Sequence, residues 1–469
     1  MSADWLETGF RGIEEVHGPL VVVRGVSGVG WDEVASVRSA DGQTRAGLVL
    51  EVDRDLAVVQ VLAGTSGVEP GRTSVSFTGD VLRVPVGPQW LGRVCNGRGE
   101  PRDGGPPVLG ARTAPVAGAP LNPVHREPPR DPVLTGVSAL DALTTLVRGQ
   151  KLPIFSVAGL PHLELATQVA AHATVGAEPF AVVFAGMGLT HADAAAVGDA
   201  LEPRAAAGEL VLLLNTADEP VIERILAPRI ALTIAEELAF GEGRHVLVVM
   251  GDMTSYAEAV REVSAVRREI PARRAYPGYL YSDLASLYER CGRIRGHAGS
   301  VTVLPVLTMP AGDITHPVPD LTGYITEGQV LLSADAQARG TYPPVEPLGS
   351  LSRLMRHGAG PGRTREDHLE VAAQVIAALS RARQVHELAE LLGETALSET
   401  DRAYLRFEST AERTLLDQGR GTSRTLGETL DLAWRALAEL PRGELATLDP
   451  ALLAAHLDGA GPTTTQDPR

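Results

Sequence analysis

Between Gly12 and about Val81, apolar residues recur in short alternating runs (PLVVVRGV, AGLVLEVD, LAVVQVLAG, TSVSFTG) punctuated by Gly, Asp and Ser. Period-two alternation at this spacing predicts a small all-β barrel, and no helix-length periodic segment interrupts it. A breaker-rich passage follows from Asn96 to Pro132, with NGRGEPRDGGPP and APLNPVHREPPRDP, which predicts a surface loop. The pattern then changes to uninterrupted apolar runs separated by helical stretches: LPIFS, FAVVFAG, ELVLLLN, HVLVVMGD, VTVLPVLTM and GQVLLS. Continuous hydrophobicity suits strands covered on both faces, so a mostly parallel sheet flanked by helices is expected. After about Gly358 strand patterns vanish. Leu369, Ala373, Ile376 and Ala377, then Leu388, Leu391 and Leu392, follow helical spacing and predict a C-terminal helical bundle. The tail GAGPTTTQDPR is expected to lack fixed structure.

Composition narrows the partners. The chain has 469 residues, 44% of them hydrophobic, enough for two or three cores. A formal charge of −16 argues against nucleic-acid and anionic-membrane surfaces, which reward clustered Lys and Arg. Cys95 and Cys291 stand far apart, without the paired spacing of a zinc site or a disulfide framework, so a reducing cytosolic setting and no metal ligands are expected. The opening MSADWLETGF is acidic where a signal peptide is basic, and no run reaches the roughly 18 apolar residues of a membrane helix.

Candidate chemistry begins with KLPIFSVAGLPHLELATQV. Lys151–Ser156 reads as a strand, Val157–Pro161 as a tight turn, and Leu163 onward as an amphipathic helix. Laid on the phosphate-loop pattern G-x-x-x-x-G-K-[ST], Ser156 replaces the first glycine, Pro161 the second, His162 the lysine and Leu163 the magnesium-holding hydroxyl. Locally the stretch reads equally as a plain βα turn or as a degenerate phosphate loop around Ser156, Gly159, Leu160, Pro161 and His162. A neutral imidazole brings less charge to a phosphate than lysine, and a leucine cannot ligate magnesium. In HVLVVMGDM, Asp252 ends a hydrophobic strand, where a carboxylate either orients magnesium or caps the next helix, a role Thr254 also competes for. In PLGSLSRLMRHGAG, Arg353 follows a Ser/Gly turn. It is either a solvated surface arginine or one that reaches a neighbour's phosphate.

Together these stretches resemble the non-catalytic B subunit of V/A-type rotary ATPases. The resemblance is carried by LGRVCNGRGEPRDGGPP (Leu91–Pro107), TGVSALDALTTLVRGQKLPIFS (Thr135–Ser156), GLPHLELA (Gly159–Ala166), REIPARRAYPGYLYSDLASLYERCGRIRG (Arg268–Gly296), TMPAGDITHPVPDLTGYITEGQ (Thr308–Gln329), SLSRLM (Ser350–Met355) and ALSETDRAYLRF (Ala396–Phe407). It implies an N-terminal β-barrel over 1–80, a nucleotide-binding-type α/β domain with a degenerate phosphate loop over 81–358, a C-terminal helical domain over 359–458 and a disordered tail over 459–469. It also implies an alternating A3B3 ring with catalytic A subunits, ATP or ADP at the A/B interface with magnesium held mainly by A, and contacts to central-rotor and peripheral-stalk subunits. The complex would lie on the cytoplasmic face of the cell membrane.

By the same resemblance Arg353 is an arginine finger acting in trans, and Gly393–Asp401 faces the rotor. Within FAVVFAGMGLTHAD, Leu189 stands where a catalytic site would carry a glutamate. The usual family string SGSGLPHNELA differs here at Val157 and Leu163, two changes that push towards an empty or weakly filled site. The main rival is a self-sufficient homohexameric phosphate-loop ATPase, disfavoured by His162, Leu163 and Leu189. Tyr342 in GTYPPVEP reads equally as a packing residue or as a base-stacking one.

Overall fold

A computed structural model describes residues 8–458 apart from 11, 268, 394 and 396, so the expected disordered tail lies outside the described residues. The alternating runs form seven strands: β1 (Thr8–Phe10), β2 (Ile13–His17), β3 (Leu20–Arg24), β4 (Glu33–Arg38), β5 (Thr44–Asp53), β6 (Leu56–Val61) and β7 (Ser74–Val81). They pair antiparallel in the order β1-β7-β4-β5-β6-β3-β2. Val21, Val23, Val37, Val49, Val59 and Val75 point inward and make the barrel core, as period-two strands dictate. On β5 burial is continuous from Gly47 to Leu50, because Leu48 and Leu50 on the outer face are covered by the next domain.

The uninterrupted runs give the central sheet: β8 (Val94–Asn96), β9 (Ile154–Val157), β10 (Phe180–Leu189), β11 (Leu210–Thr216), β12 (His245–Gly251), β13 (Ser300–Met309), β14 (Gly328–Leu331) and β15 (Leu351–Ser352). Their spatial order is β15-β14-β9-β13-β12-β10-β11-β8, parallel throughout except for the β14/β15 pair. Every residue of β11 and β12 is buried, as expected for strands between two helical layers. The flanking helices include α1 (His162–His172), α2 (His191–Ala206), α3 (Val221–Glu236) and α4 (Met253–Val266). Beyond them lies the helical domain, with α5 (His368–Leu392), α6 (Glu399–Ala411) and α7 (Leu426–Leu437). No helix among the described residues is long and apolar enough to cross a membrane.

One expectation needs correction and another a refinement. The strand expected from Lys151 begins only at Ile154. Lys151 makes a single bridge to Val303, and Pro153 supplies no N–H to extend a ladder. The Lys151 ammonium is buried and neutralised by Glu327 at 2.7 Å and Glu289 at 3.3 Å. The surface loop expected over Asn96–Pro132 is mostly exposed, but it also carries paired segments and latches. Arg112–Pro115 pairs with Arg83–Val86, and Asp103 accepts from Arg93 Nε at 2.6 Å and Nη2 at 3.0 Å and from the amides of Gly105 and Val94. Distant charge pairs tie the breakers down where local pattern predicts only turns.

Candidate functional site

In a parallel sheet the loops at the carboxyl ends of neighbouring strands converge, and here they enclose a cavity of about 990 Å³. Gly159, Leu160, Pro161 and His162 line one side, joined by Leu189 from β10, Asp252 from the end of β12, Thr308 from β13, and Tyr342 and Arg420 from further along the chain. Ser156 is not in the lining. It is fully buried behind the turn, its hydroxyl donating to the Val157 carbonyl at 3.0 Å.

The turn has the outline of a phosphate cradle but has committed two of its amide donors within itself. Gly159 sits at φ 89°, a left-handed conformation that favours glycine, and it lets the chain double back from β9 into α1. The amide of Leu160 donates to Val157 O at 3.3 Å and that of His162 to Leu160 O at 2.8 Å, while Pro161 has none to give. The His162 ring lies 2.9 Å from the same Leu160 carbonyl through Nδ1 and 3.5 Å from the Thr308 hydroxyl through Nε2. Leu163 packs against the hydrophobic core.

Of the two roles its position offers, Asp252 is seen in the capping one. One oxygen accepts the Thr254 amide at 2.7 Å, starting α4, and the Thr308 amide at 3.2 Å; the other accepts the Thr308 hydroxyl at 2.5 Å. Thr254 does not cap but donates its hydroxyl to the Thr308 carbonyl at 2.7 Å. Leu189 presents only hydrocarbon to the cavity. The loop therefore lacks the lysine and the magnesium-holding hydroxyl of a working phosphate loop, and its strand-end carboxylate is engaged.

Sequence reasoning missed Arg420 and Thr308. Arg420 pairs with Glu164 on α1 and stacks its guanidinium 5.0 Å from the Tyr342 ring centre, closing the cavity from the helical domain. Tyr342 is nearly buried, and burial pushes its hydroxyl up to about 12. It packs and lines the cavity at once. A GRG turn at Gly419–Gly421 carries no local signal that its arginine returns to a helix over 250 residues earlier. Among the described residues no group of three or more His, Cys, Asp or Glu is placed to hold a metal. The thiols of Cys95 and Cys291 are buried and thereby raised to about 11 and about 12, outside the reactive range.

Arg353 lies apart from that cavity, two strands from β9, at the sheet edge. Its anchoring comes from the residue before it. Buried Ser352 pairs with Gly328, accepts from Gln150 Nε2 at 3.0 Å and donates to the Thr145 carbonyl at 3.1 Å. A side chain at position 328 would collide with the Leu351 carbonyl, so glycine there lets the two strands close. The Arg353 amide then donates to Glu327 O at 3.0 Å, while its side chain is exposed and has no hydrogen bond or ion pair among the described residues. Further on, the 393–401 segment is only partly described. Asp401 and Ser398 form a reciprocal capping box at the start of α6, and the Ser398 hydroxyl holds the Asp401 carboxyl below its ordinary value.

Comparison with known proteins agrees with this architecture domain by domain. Residues 13–79 match the beta-barrel domain of the ATP synthase alpha/beta family, 136–352 its nucleotide-binding domain, and 357–457 the C-terminal domain of V and A type ATP synthase. The chain is 53% identical over 441 residues to the B subunit of an A-type ATP synthase from Aeropyrum pernix, covering 94% of this chain and 95% of that protein. It is 52% identical over 453 residues to a V-type ATP synthase beta chain of Halothermothrix orenii, covering 96% and 98%. Among solved structures, the ATP synthase subunit NeqB from Nanoarcheaum equitans superposes with a TM-score of 0.71 at 34% identity, covering 90% of this chain and all of that one.

Proposed function

Because this chain belongs to the ATP synthase alpha/beta family, in the branch of V- and A-type B subunits, we propose that it works as the non-catalytic member of an alternating A3B3 ring and completes its neighbour's ATP site with Arg353. One observation carries the reading. The only feature suited to phosphate chemistry that is both anchored and uncommitted among the residues singled out is the Arg353 guanidinium, whereas the chain's own loop has neither the lysine nor the magnesium-holding hydroxyl of a working phosphate loop.

Arginine suits this task because its guanidinium stays charged and offers a planar fork to phosphate oxygens. The β14/β15 pair fixes where the fork begins, and the exposed side chain reaches outward from the sheet edge. ATP and magnesium are then held mainly by the intact loop of the catalytic neighbour, and this chain contributes charge and interface. The degenerate frame around Gly159–His162 is retained for shape, since a near copy of the catalytic subunit must pack between two of them. Central-rotor and peripheral-stalk subunits bind the assembled ring, at the cytoplasmic face of the membrane. Rotor contact runs through the 393–401 segment, just before which Leu391, in the last turn of α5, is 82% exposed.

The test is phosphate release. The purified chain with magnesium and ATP is expected to show no sustained release, and addition of a phosphate-loop-bearing A-type partner is expected to produce it. Sustained release by the chain alone would favour the self-sufficient homohexamer.

A further inference from the structure

A second cavity, of about 460 Å³, opens where the outer face of the barrel meets α3 and α4, and it shares no lining residue with the cavity around His162. Its walls are aliphatic: Leu48 and Leu50 from β5, Leu226 from α3, Val260 and Val263 from α4. Trp31, 68% exposed, and the partly exposed Tyr279 add aromatic surface on the solvent side. This is the size and composition of a small-molecule site, apolar walls with a few fixed polar groups.

The polar groups are what single it out. Gln60 sits on β6 across from Leu48 and Leu20, at an outward position where the strand's alternation calls for an apolar residue facing the next domain. It is 1% exposed, lines the cavity, and its side-chain oxygen has no partner. Arg267 and Glu269, in the same lining, pair with each other through Nη1 and one carboxylate oxygen at 3.4 Å, but Arg267 Nε and the other Glu269 oxygen are likewise buried and unpartnered. By contrast the Arg229 and Asp283 pair that also reaches the cavity is satisfied, Asp283 accepting the guanidinium and, at 2.5 Å, the Tyr256 hydroxyl. Buried polar atoms are rarely left without partners, and here acceptors and a donor lie together in one apolar pocket.

We propose that this junction cavity is a binding site for a small neutral aromatic molecule that donates an N–H to the Gln60 carboxamide oxygen and offers a carbonyl-type acceptor to Arg267. Helix α4 forms part of the site's wall and begins at Asp252 beside the His162 cavity, so one rigid element spans both.

Benzimidazolone, with two N–H groups and one carbonyl, is a suitable probe, and its N,N′-dimethyl derivative lacks only the donors. Ligand-observed NMR on the full-length chain is expected to show saturable binding of the first and at least tenfold weaker binding of the second. Gln60→Leu keeps the volume and deletes the acceptor, so it is expected to abolish that discrimination without lowering the thermal unfolding midpoint. Val263→Phe, which fills the cavity, is expected to abolish binding of both. No saturable binding to the unmodified chain, equal binding of the two probes, or discrimination that survives Gln60→Leu would overturn the proposal.

Discussion

The cavity around His162 and the edge at Arg353 are opposite kinds of remnant. The first keeps a shape without its chemistry: strand, left-handed glycine, turn and helix are in place, yet the lysine and the magnesium-holding hydroxyl are missing, the Leu160 and His162 amides are bonded internally, and Asp252 accepts from Thr254 and Thr308. The second keeps a chemical group with little shape around it: a charged fork with no partner among the described residues of its own chain, set on an edge strand whose preceding serine is buried and doubly bonded. A site that is complete within one chain surrounds its charge. An exposed cation on rigid backbone, at a sheet edge apart from the cradle, fits the proposal of a function finished by another polypeptide.

Breaking the edge is expected to have the largest effect. Arg353→Ala in reconstituted rings should leave assembly intact and cut ATP turnover by about 10³–10⁵, the range for losing a finger in trans; steady-state phosphate release checks it. Repairing the cradle should matter less. His162→Lys combined with Leu163→Thr is expected to raise the isolated chain's affinity for magnesium ATP by roughly tenfold to a hundredfold, the scale of one or two charge-assisted bonds. Calorimetry reads that gain, and hydrolysis should still be absent because Leu189 cannot act as a base.

Loosening the support beneath the fork comes next. Ser352→Ala deletes one bond to Gln150 and one to Thr145, and should cost about 1–2 kcal/mol in unfolding free energy and lower ring turnover about tenfold through misplacement. The smallest effect, and a control, lies at the opposite edge of the same sheet. Arg93, with the amides of Gly105 and Val94, holds the Asp103 carboxyl well below its ordinary value. A depressed carboxylate adds stability above its unfolded value of about 4 and loses it as pH falls below that. Asp103→Asn should therefore cost about 1 kcal/mol at neutral pH, with the gap closing as pH drops below about 4, and ring turnover should not change.

Much of this architecture was legible in the sequence, because burial imposes a period. Val21, Val23 and Val37 announce a barrel by alternating, and β11 and β12 announce a covered parallel sheet by not alternating. The grouping of Gly159–His162, Leu189 and Asp252 was legible too, since all lie at carboxyl ends of parallel strands and such ends converge. Illegible were the contacts that depend on distant partners. Thr308 meets His162 across 146 residues, Arg420 meets Glu164 across 256, and Asp103 turns a breaker-rich loop into a latched one. Gln60 shows the same limit: its residue type breaks the outward apolar row, but only the packing of the barrel on α3 and α4 shows that its oxygen is left alone.

The measurement closest to the central claim is single-turnover ATP cleavage by rings carrying Arg353→Lys, with assembly followed in parallel by native mass spectrometry. Charge is kept and only the planar fork is lost. The account predicts normal rings and cleavage slowed by orders of magnitude; normal rings that cleave at the unmodified rate would contradict it.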